Sequence, residues 1–441
     1  MAPSPAIGAT QVLRRDYASA AEAMALLKVR PQTLYAYVSR GWIRSVSQKG
    51  LKEKLYLRDD VERVGQRSAA RAGHGAVAAS AMNWGEPIFP TSITEITTEG
   101  PRYRGHLAAD LVHAGTSFEA VAELLWTGEL AGPSPLLLIL PIWPVRKPSA
   151  ELTKLMRTLT ALQARDNLLE AFALVVLLLG VRRGSVAERL SQGQTLPAAA
   201  REVMQTVVAC CGLAGGSQTF RPMQKDESIV DGLIKALALP DLDANREALR
   251  TILILMADHE LSPGTLSARV VASAGGTLHS CLAAAMCATS GVEVGRMYDR
   301  VEDFLGQAHT ATELLKRARQ MHSGGLSVPG FDHPLYPHGD PRATQLLALA
   351  RKHPGQSRGL RAIFRFIDAM GISTGLMPRQ ELAVVVLARA MGLPRLASAA
   401  LFALGRLAGW VAHVQEQRTA GNLLRPRAKF VATEGASQAT K

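Results

Sequence analysis

The chain has 441 residues, 47% of them hydrophobic and 5% aromatic, and a formal net charge of +13. This length exceeds one typical hydrophobic core, so two or three domains are expected, and the Ala- and Leu-rich composition favours packed helices over sheets. The longest apolar run, residues 171–181, is too short to span a bilayer, and the N-terminus lacks the pattern of a signal peptide. The sequence therefore predicts a cytoplasmic protein without a membrane partner.

The cysteines indicate a reducing compartment and no metal site. The four residues do not have the spacing of zinc ligands, and they lie in apolar stretches where buried thiols are common. They are Cys210, Cys211, Cys281 and Cys287.

Positive charge is concentrated at the N-terminus. Residues 1–72 contain 13 Lys and Arg against 6 Asp and Glu. This asymmetry indicates a polyanionic partner, although an Arg-rich protein can also simply be basic. Residues 1–16 are predicted to be a disordered tail.

Residues 17–66 have the pattern of two short helices followed by a hairpin. Ser19 and Glu22 have the spacing of a capping box at the start of a helix predicted over residues 20–27. A tight turn separates it from a second helix predicted over residues 33–39.

A hairpin is predicted next, with strands over residues 42–45 and 54–57 and a Lys- and Gly-rich tip. The stretch 17–66 resembles the MerR-like winged helix-turn-helix family, which implies DNA binding. The side chains that this resemblance offers to DNA are Gln32, Thr33, Tyr35, Arg40, Lys49, Lys52 and Lys54. The alternative is that this module docks on the rest of the chain or has lost a DNA-binding role.

After a predicted small-residue linker over residues 67–82, the pattern changes again. Residues 83–96 alternate apolar and polar side chains and predict short strands, and a helix is predicted over residues 118–126. The motif RYRG…DL…SFEAVAELLWTGEL, which begins at Arg102, resembles the opening of the citrate synthase family. Helical periodicity dominates from there to residue 431.

Two histidines follow breaks in the helical pattern. His259 comes after an apolar helix that is predicted to end at Ala257, and taken alone it is more simply a core histidine. His333 lies in a Pro- and Gly-rich stretch, residues 328–343, which is either a binding loop held by a scaffold or an ordinary connection.

Both histidine segments are similar to the active-site stretches of citrate synthases. ADHELSPGTLSARVVASAG implies that His259 hydrogen-bonds oxaloacetate, and GFDHPLYPHGDPRA implies that His333 contacts its oxo group and Arg342 a carboxylate. ALGRLAGWVAHVQEQ adds Arg406, and LLRPRAKFV adds Arg425, which in the family comes from the partner subunit. Several arginines suit a small dicarboxylate, because guanidinium groups bind carboxylates in a bidentate manner.

The two groups that activate acetyl-CoA in this family differ here. The histidine that stabilises the enolate is replaced by Val294, which cannot donate a hydrogen bond, and losing such a donor costs about 10²–10³ in rate. The carboxylate base is Glu381 instead of aspartate, and a misplacement of about 1 Å can cost about 10²-fold. Arg379 stands two residues before Glu381 and would lower its basicity if the two side chains pair.

The sequence therefore predicts a mainly α-helical, two-domain citrate synthase-like fold with a small N-terminal winged helix-turn-helix domain. The large domain is expected over residues 83–295 and 384–433, the small domain over 296–383, and a tail over 434–441. The resemblance implies a homodimeric acyltransferase that condenses an acyl-CoA, acetyl-CoA in the family, with oxaloacetate to give citrate and CoA, with no bound cofactor. The alternative is a non-catalytic, DNA-binding regulator that senses a di- or tricarboxylate.

Overall fold

A computed structural model describes most of the chain, in two compact units. The units are Met1–Pro90 with Arg425–Lys441, and Thr91–Leu424. The described residues are 17–27, 29–39, 43, 45–47, 54–58, 60, 61, 64, 89–130, 143–162, 167–182, 195–215, 219–306 and 309–426. The predicted tails over 1–16 and 434–441 and the predicted linker over 67–82 lie outside these residues.

The first unit has a small core between two helices and a three-stranded antiparallel sheet of order β1-β3-β2. Its described elements are β1 (Tyr17–Ala18), α1 (Ala20–Leu27), α2 (Pro31–Ser39), β2 (Ser45–Ser47) and β3 (Lys54–Leu57). The predicted capping box is confirmed, because the Ser19 N–H donates to Glu22 at 2.9 Å and the Glu22 N–H donates to Ser19 Oγ at 3.2 Å.

The helix predicted over residues 20–27 and the strand predicted over residues 54–57 have the same bounds as α1 and β3, whereas α2 starts earlier than predicted. α2 begins at Pro31, two residues before the predicted start, because proline is tolerated in the first turn of a helix. The described part of the first hairpin strand is Ser45–Ser47, which pairs with β3 so that Ser45 lies opposite Tyr56. Residues 42 and 44 of the predicted strand lie outside the described residues. The winged helix-turn-helix assignment itself stays a prediction.

In the described residues of the second unit, Thr91–Leu424, the regular elements are helices and one small antiparallel sheet, which confirms the mainly helical fold. Its sheet consists of β4 (Thr94–Thr97), β5 (Gly100–Tyr103) and β6 (His106–Leu107). Its α-helices are α3 (Ala108–His113), α4 (Phe118–Thr127), α5 (Ala150–Ala161), α6 (Leu168–Arg182), α7 (Leu196–Cys210), α8 (Ile229–Ala236), α9 (Asp243–Leu255), α10 (Pro263–Ser273), α11 (Leu278–Thr289), α12 (Met297–Gly306), α13 (Ala311–Ser323), α14 (Pro341–Lys352), α15 (Arg358–Thr374), α16 (Gln380–Ala390) and α17 (Ala397–Ala420).

Side chains at the helix starts explain many of these boundaries. Polar side chains accept a backbone N–H of the first turn and so satisfy a donor that has no partner inside the helix. The residues that do so are Ser117, Ser149, Thr195, Ser228, Thr277, Thr310, Asp340 and Ser357. Asp340 is the one among them that also belongs to the candidate site.

The long helix α17 is the centre of the second unit. Helices α4, α9, α10 and α11 pack against it, and nearly all of its side chains are buried. Glycines 405 and 409 let the backbone of α9 and its following turn approach closely. Within the described residues α17 alone is long and apolar enough to cross a membrane, but 94% of its apolar window is buried, as in a core helix.

Candidate active site

His259 lies in the turn between α9 and α10, beside a buried carboxylate. Oδ2 of Asp258 accepts the backbone N–H of Glu260 at 3.2 Å. Glu260 has a φ of +56°, a left-handed conformation that a side chain adopts only when its surroundings hold it there. The Asp258 carboxylate therefore holds the backbone of this turn, and with it the position of His259.

The Pro- and Gly-rich loop brings His333 and Tyr336 against His259. Nε2 of His259 lies 3.0 Å from the Tyr336 hydroxyl, and the two histidine rings are 5.6 Å apart, edge to face. Nδ1 of His333 accepts the Leu335 N–H at 3.1 Å. In the neutral ring, the proton of His333 is therefore on Nε2, which can donate to a ligand.

Arg342, at the start of α14, is held by a carboxylate that also fixes the next helix. Asp340 accepts Nε and Nη2 of Arg342 at 3.0 and 2.8 Å, and it accepts the backbone N–H of Gln380 at 3.1 Å. Nη1 of Arg342 is buried and has no hydrogen-bond partner among the described residues. An unpaired buried donor at such a position indicates a place for an acceptor from a ligand.

Arg406 is a second buried arginine, contributed by α17. Its side chain is 3% exposed, its Nε donates to the Met256 carbonyl at 2.9 Å, and its guanidinium lies 5.0 Å from the Phe402 ring centre. Burial lowers the pKa of Arg406 from its usual value, and the opposite effect of the nearby Asp258 carboxylate does not offset it. A carboxylate from a ligand would compensate for the cost of this burial.

Both histidines are uncharged at neutral pH. Burial, followed by the charges of Arg342 and Arg406, holds the pKa of His259 well below its usual value. Burial and the charge of Arg342 lower the pKa of His333 to about 4. The cluster therefore combines two neutral histidines with two guanidinium groups, which suits an anionic ligand that also has a neutral hydrogen-bonding group.

Glu381 lies beside this cluster because the start of α16 pairs with the His333 loop. The Arg379 N–H donates to Gly330 O at 2.8 Å, and the Asp332 N–H donates to Met377 O at 2.9 Å. Glu381 is 7% exposed, and its Oε1 pairs with Nη2 of Arg379 at 3.1 Å. Its Oε2 is buried without a hydrogen-bond partner among the described residues. One carboxylate oxygen thus remains free to accept a proton.

A pocket of about 110 Å³ lies along this pairing. Apolar side chains, including Met297, Phe331 and Leu376, line it together with Arg379 and the exposed Asp332. The pocket therefore has an apolar wall and, on another part of its surface, the Arg379 guanidinium that contacts Glu381. Such a surface suits a small apolar group that has one polar atom.

Two of the predicted site residues, Val294 and Arg425, have no hydrogen bond or ion pair with this cluster among the described residues. Val294 is half-buried in the turn between α11 and α12, where its side chain packs against the main core and its N–H donates to Gly291 O. Arg425 is exposed after the end of α17 and belongs to the first compact unit, so the second unit does not place it in the cluster.

Sequence reasoning assigned no role to two residues of the cluster, Tyr336 and Asp340, although Asp340 stands out as a polar residue of the 328–343 loop. Tyr336 lies three positions after His333, and its hydroxyl contacts His259. Asp340 stands two positions before Arg342, a spacing at which an aspartate can both cap a helix and bind the arginine. The spacing of Asp340 was a usable signal, whereas nothing in the sequence connects Tyr336 with His259.

A series of polar contacts, which connects Asp258 with side chains of α10 and α17, supports the His259 turn. Nε2 of His413 lies 3.3 Å from Asp258 Oδ2, and Nδ1 of His413 lies 3.0 Å from Nη1 of Arg269. A guanidinium only donates, so Nδ1 accepts and the ring proton faces Asp258. Arg269 also donates to Glu416 at 2.6 Å. Although burial raises the pKa of the Asp258 carboxyl, His413 and Arg406 outweigh this and lower it.

The residues proposed to contact DNA are partly described. Gln32 and Lys54 are exposed, Tyr35 is 58% exposed and Thr33 is half-buried. Arg40, Lys49 and Lys52 lie outside the described residues. The exposed face of α2 is therefore accessible to a partner, and DNA as that partner stays a prediction.

Curated relatives of this chain are citrate and 2-methylcitrate synthases. Citrate synthase 2 of Bacillus subtilis (strain 168) is 30% identical over 190 residues, which cover 42% of this chain and 50% of the relative. The alignment with citrate synthase of Corynebacterium glutamicum, at 32% identity, covers 46% of that relative, so the chain spans about half the length of these two relatives. The 2-methylcitrate synthase of Mycobacterium tuberculosis is 26% identical over 79% of this chain and 90% of its own length.

Solved structures with the same fold are also citrate synthases. The enzyme from Pyrobaculum aerophilum is 25% identical with a TM-score of 0.64, and the alignment covers 79% of this chain and 91% of that one. The Thermoplasma acidophilum enzyme, in a ternary complex with carboxymethyl coenzyme A and oxaloacetate, is 21% identical with a TM-score of 0.67 over 79% and 94% of the chains. The family model for the C-terminal domain of citrate synthase matches residues 82–427, which is more than half of the sequence. This chain therefore belongs to the citrate synthase family.

Proposed function

We propose that the protein condenses an acyl-CoA with oxaloacetate and releases CoA and a citrate-type product. The observation that carries this proposal is the convergence of His259, His333, Arg342 and Arg406 beside Glu381. Two guanidinium groups match the two carboxylates of oxaloacetate, and the neutral histidines match its oxo group. Membership of the citrate synthase family supports the same reaction.

The proposed roles follow from which atoms are free. Arg342 has an unpaired Nη1 for a carboxylate, and Arg406 is a second buried guanidinium. His333 presents Nε2–H to the oxo oxygen, because its Nδ1 is occupied by the Leu335 N–H. His259, held at Tyr336, completes the binding of the oxo acid.

Glu381 is the proposed base. Its free Oε2 takes a proton from the carbon next to the thioester carbonyl, and that carbon then forms a bond with the oxo carbon of oxaloacetate. The oxo oxygen becomes a hydroxyl by accepting the proton from Nε2 of His333, and the proton that Glu381 took from the carbon passes back to Nε2, so that both residues return to their starting protonation states. Water then cleaves the thioester, which releases CoA and a third carboxylate.

A CoA-release assay tests this proposal. Purified protein is incubated with oxaloacetate and either acetyl-CoA or propionyl-CoA, and free CoA is detected with a thiol reagent. We expect CoA release that depends on oxaloacetate and falls about 10²-fold or more in His333→Asn. His338→Asn is the matched control, because His338 is exposed in the same loop. No oxaloacetate-dependent release at high protein concentration would contradict the proposal for these substrates.

We also propose that the protein is a homodimer in which Arg425 completes the site of the partner subunit. One face of α6 exposes large apolar side chains at helical spacing. They are Leu174, Leu177 and Val181, which are 51%, 40% and 78% exposed. An apolar stripe of this kind on a helix favours contact with another protein surface.

A second candidate function is DNA binding by the first unit. Gln32 and Tyr35 are exposed on α2, and Lys54 is exposed on β3. A gel shift of the intact protein with DNA from its own promoter region, at several salt concentrations, tests this function. Binding through phosphate contacts must weaken as salt rises, and Lys54→Gln should weaken it on every sequence. Binding that is insensitive to salt contradicts this mode.

A further inference from the structure

The thioester oxygen of an acyl-CoA needs a hydrogen-bond donor when the neighbouring carbon loses its proton. Negative charge then develops on that oxygen, and an apolar pocket without a donor would make the step slow. Val294 has no donor in its side chain and packs against the core. If Glu381 is the base, another group beside it has to supply the donor.

Arg379 has the required position. Its Nη2 lies 3.1 Å from Oε1 of Glu381, and its side chain lines the 110 Å³ pocket. Its Nε is buried without a hydrogen-bond partner among the described residues. A guanidinium has five N–H donors, so binding Glu381 leaves others available.

Bond geometry places the substrate oxygen near this guanidinium. The carbonyl oxygen of a thioester and its methyl carbon are separated by the same number of bonds as the two oxygens of a carboxylate. A methyl carbon that meets Oε2 of Glu381 can therefore have its carbonyl oxygen on the side of Oε1, where Arg379 lies.

We propose that Arg379 donates hydrogen bonds to the thioester oxygen of the acyl-CoA and stabilises the enolate, in place of the donor that Val294 cannot supply. The inference rests on the proposed condensation. The C–H bond of the acyl group breaks and its proton moves to Glu381, while the carbonyl electron pair moves onto the oxygen. Negative charge thus moves from the Glu381 carboxylate to the thioester oxygen. Because both groups lie within reach of the Arg379 guanidinium, Arg379 has an anionic partner before and after the proton transfer.

The start of α16 is built so that Arg379 can be replaced without loss of the helix. Arg379 is the N-cap residue of α16, and its backbone N–H is fixed by Gly330 O whatever its side chain. Asparagine is among the most favourable N-cap residues. Arg379→Asn is therefore expected to fold, and Arg379→Lys keeps a cation at the position. Arg365→Met, at an exposed site on α15, is the control for loss of an arginine.

The first measurement is catalysis. We expect Arg379→Asn to lower the kcat of CoA release, and the exchange of the acetyl methyl protons with deuterated water, by about 10²–10³-fold, with less change in the KM for oxaloacetate. Arg379→Lys should retain more activity, and Arg365→Met should match the unmodified protein. The double variant Arg379→Asn with Val294→His should recover part of the loss. Unchanged kcat and proton exchange in Arg379→Asn would overturn the inference.

The second measurement does not need turnover. Carboxymethyl-CoA has its carboxylate carbon at the position of the acetyl methyl carbon, so its anionic oxygens are attached one bond beyond the carbon that would hold the enolate oxygen, whereas S-ethyl-CoA has no oxygen at either carbon. By calorimetry with oxaloacetate present, Arg379→Asn should bind carboxymethyl-CoA at least about tenfold more weakly, a loss typical of a hydrogen bond to a charged group, and S-ethyl-CoA nearly unchanged. Equal effects on both ligands would overturn the proposed contact. If the unmodified protein releases no CoA, the condensation fails, and this comparison alone still decides whether Arg379 binds an anionic oxygen.

Discussion

His333 is enclosed by protein and lies near Arg342 and Arg379, and among the described residues Asp340 is the carboxylate that acts on it. Burial and Arg342 together outweigh Asp340, so the pKa falls from 6.5 to about 4. The neutral ring is what allows Nδ1 to accept the Leu335 N–H while Nε2 keeps its proton. The charge state of this residue is therefore part of the geometry of the site.

This shift predicts how stability depends on pH. Between pH 6.5 and pH 4 the unfolded chain protonates His333 while the folded protein does not, so the free energy of unfolding decreases as pH falls through this range. His333→Asn should show a shallower decrease over the same range in urea unfolding. His338→Asn, which changes an exposed histidine of the same loop, should keep the original slope. Equal slopes in all three proteins would contradict the assignment.

At the scale of elements, the contact between α17 and the His259 turn requires a glycine. The Gly409 N–H donates to Ala257 O at 2.9 Å. A Cβ atom added at Gly409 would lie 2.1 Å from Asp258 Oδ1 and 2.6 Å from Ala257 O. Neither a backbone carbonyl nor the Asp258 carboxylate can move away without displacing His259.

Gly409→Ala should therefore damage both stability and the site. We expect the free energy of unfolding to decrease by about 1–3 kcal/mol, as for other overpacked positions, and the affinity for oxaloacetate to decrease as well. Gly359→Ala is the matched control, because its Cβ would meet only Ser357 Oγ, at 3.9 Å, in the first turn of α15. That variant should be neutral or slightly stabilised. Thermal unfolding and calorimetry measure the two effects, and equal behaviour of the two variants would refute this account.

Local signals in the sequence were sufficient for elements such as α1 and β3, and for the Ser19–Glu22 capping box, because caps and alternation act over a few residues. The pairing of Arg379 with Glu381, which entered the sequence analysis only as a condition, is also local and is present. Contacts across the fold could not be predicted in this way. The contact of Tyr336 with His259 spans 77 positions, and it depends on how the loop packs against the end of α9.

For the whole molecule, the proposed dimer depends on the exposed stripe of α6. Leu177→Glu places a charge in the middle of this stripe and should shift the protein towards monomer, because a charge buried in an apolar interface is costly. Light scattering at several protein concentrations measures the change. Leu242→Glu is the control, since Leu242 is 45% exposed at the start of α9. If Arg425 acts across the dimer, CoA release should decrease together with dimer content, and a fully active monomer would exclude that role.

The unpaired donor of Arg342 also has a thermodynamic consequence. A buried polar atom without a partner costs the folded state about 1–3 kcal/mol, so a ligand that supplies the acceptor recovers this cost on binding. Folding and ligand binding are then linked, and the melting temperature should rise with the concentration of any dicarboxylate that fits. A thermal-shift screen of small di- and tricarboxylates would therefore rank the natural ligands of the cluster without an assay for the reaction.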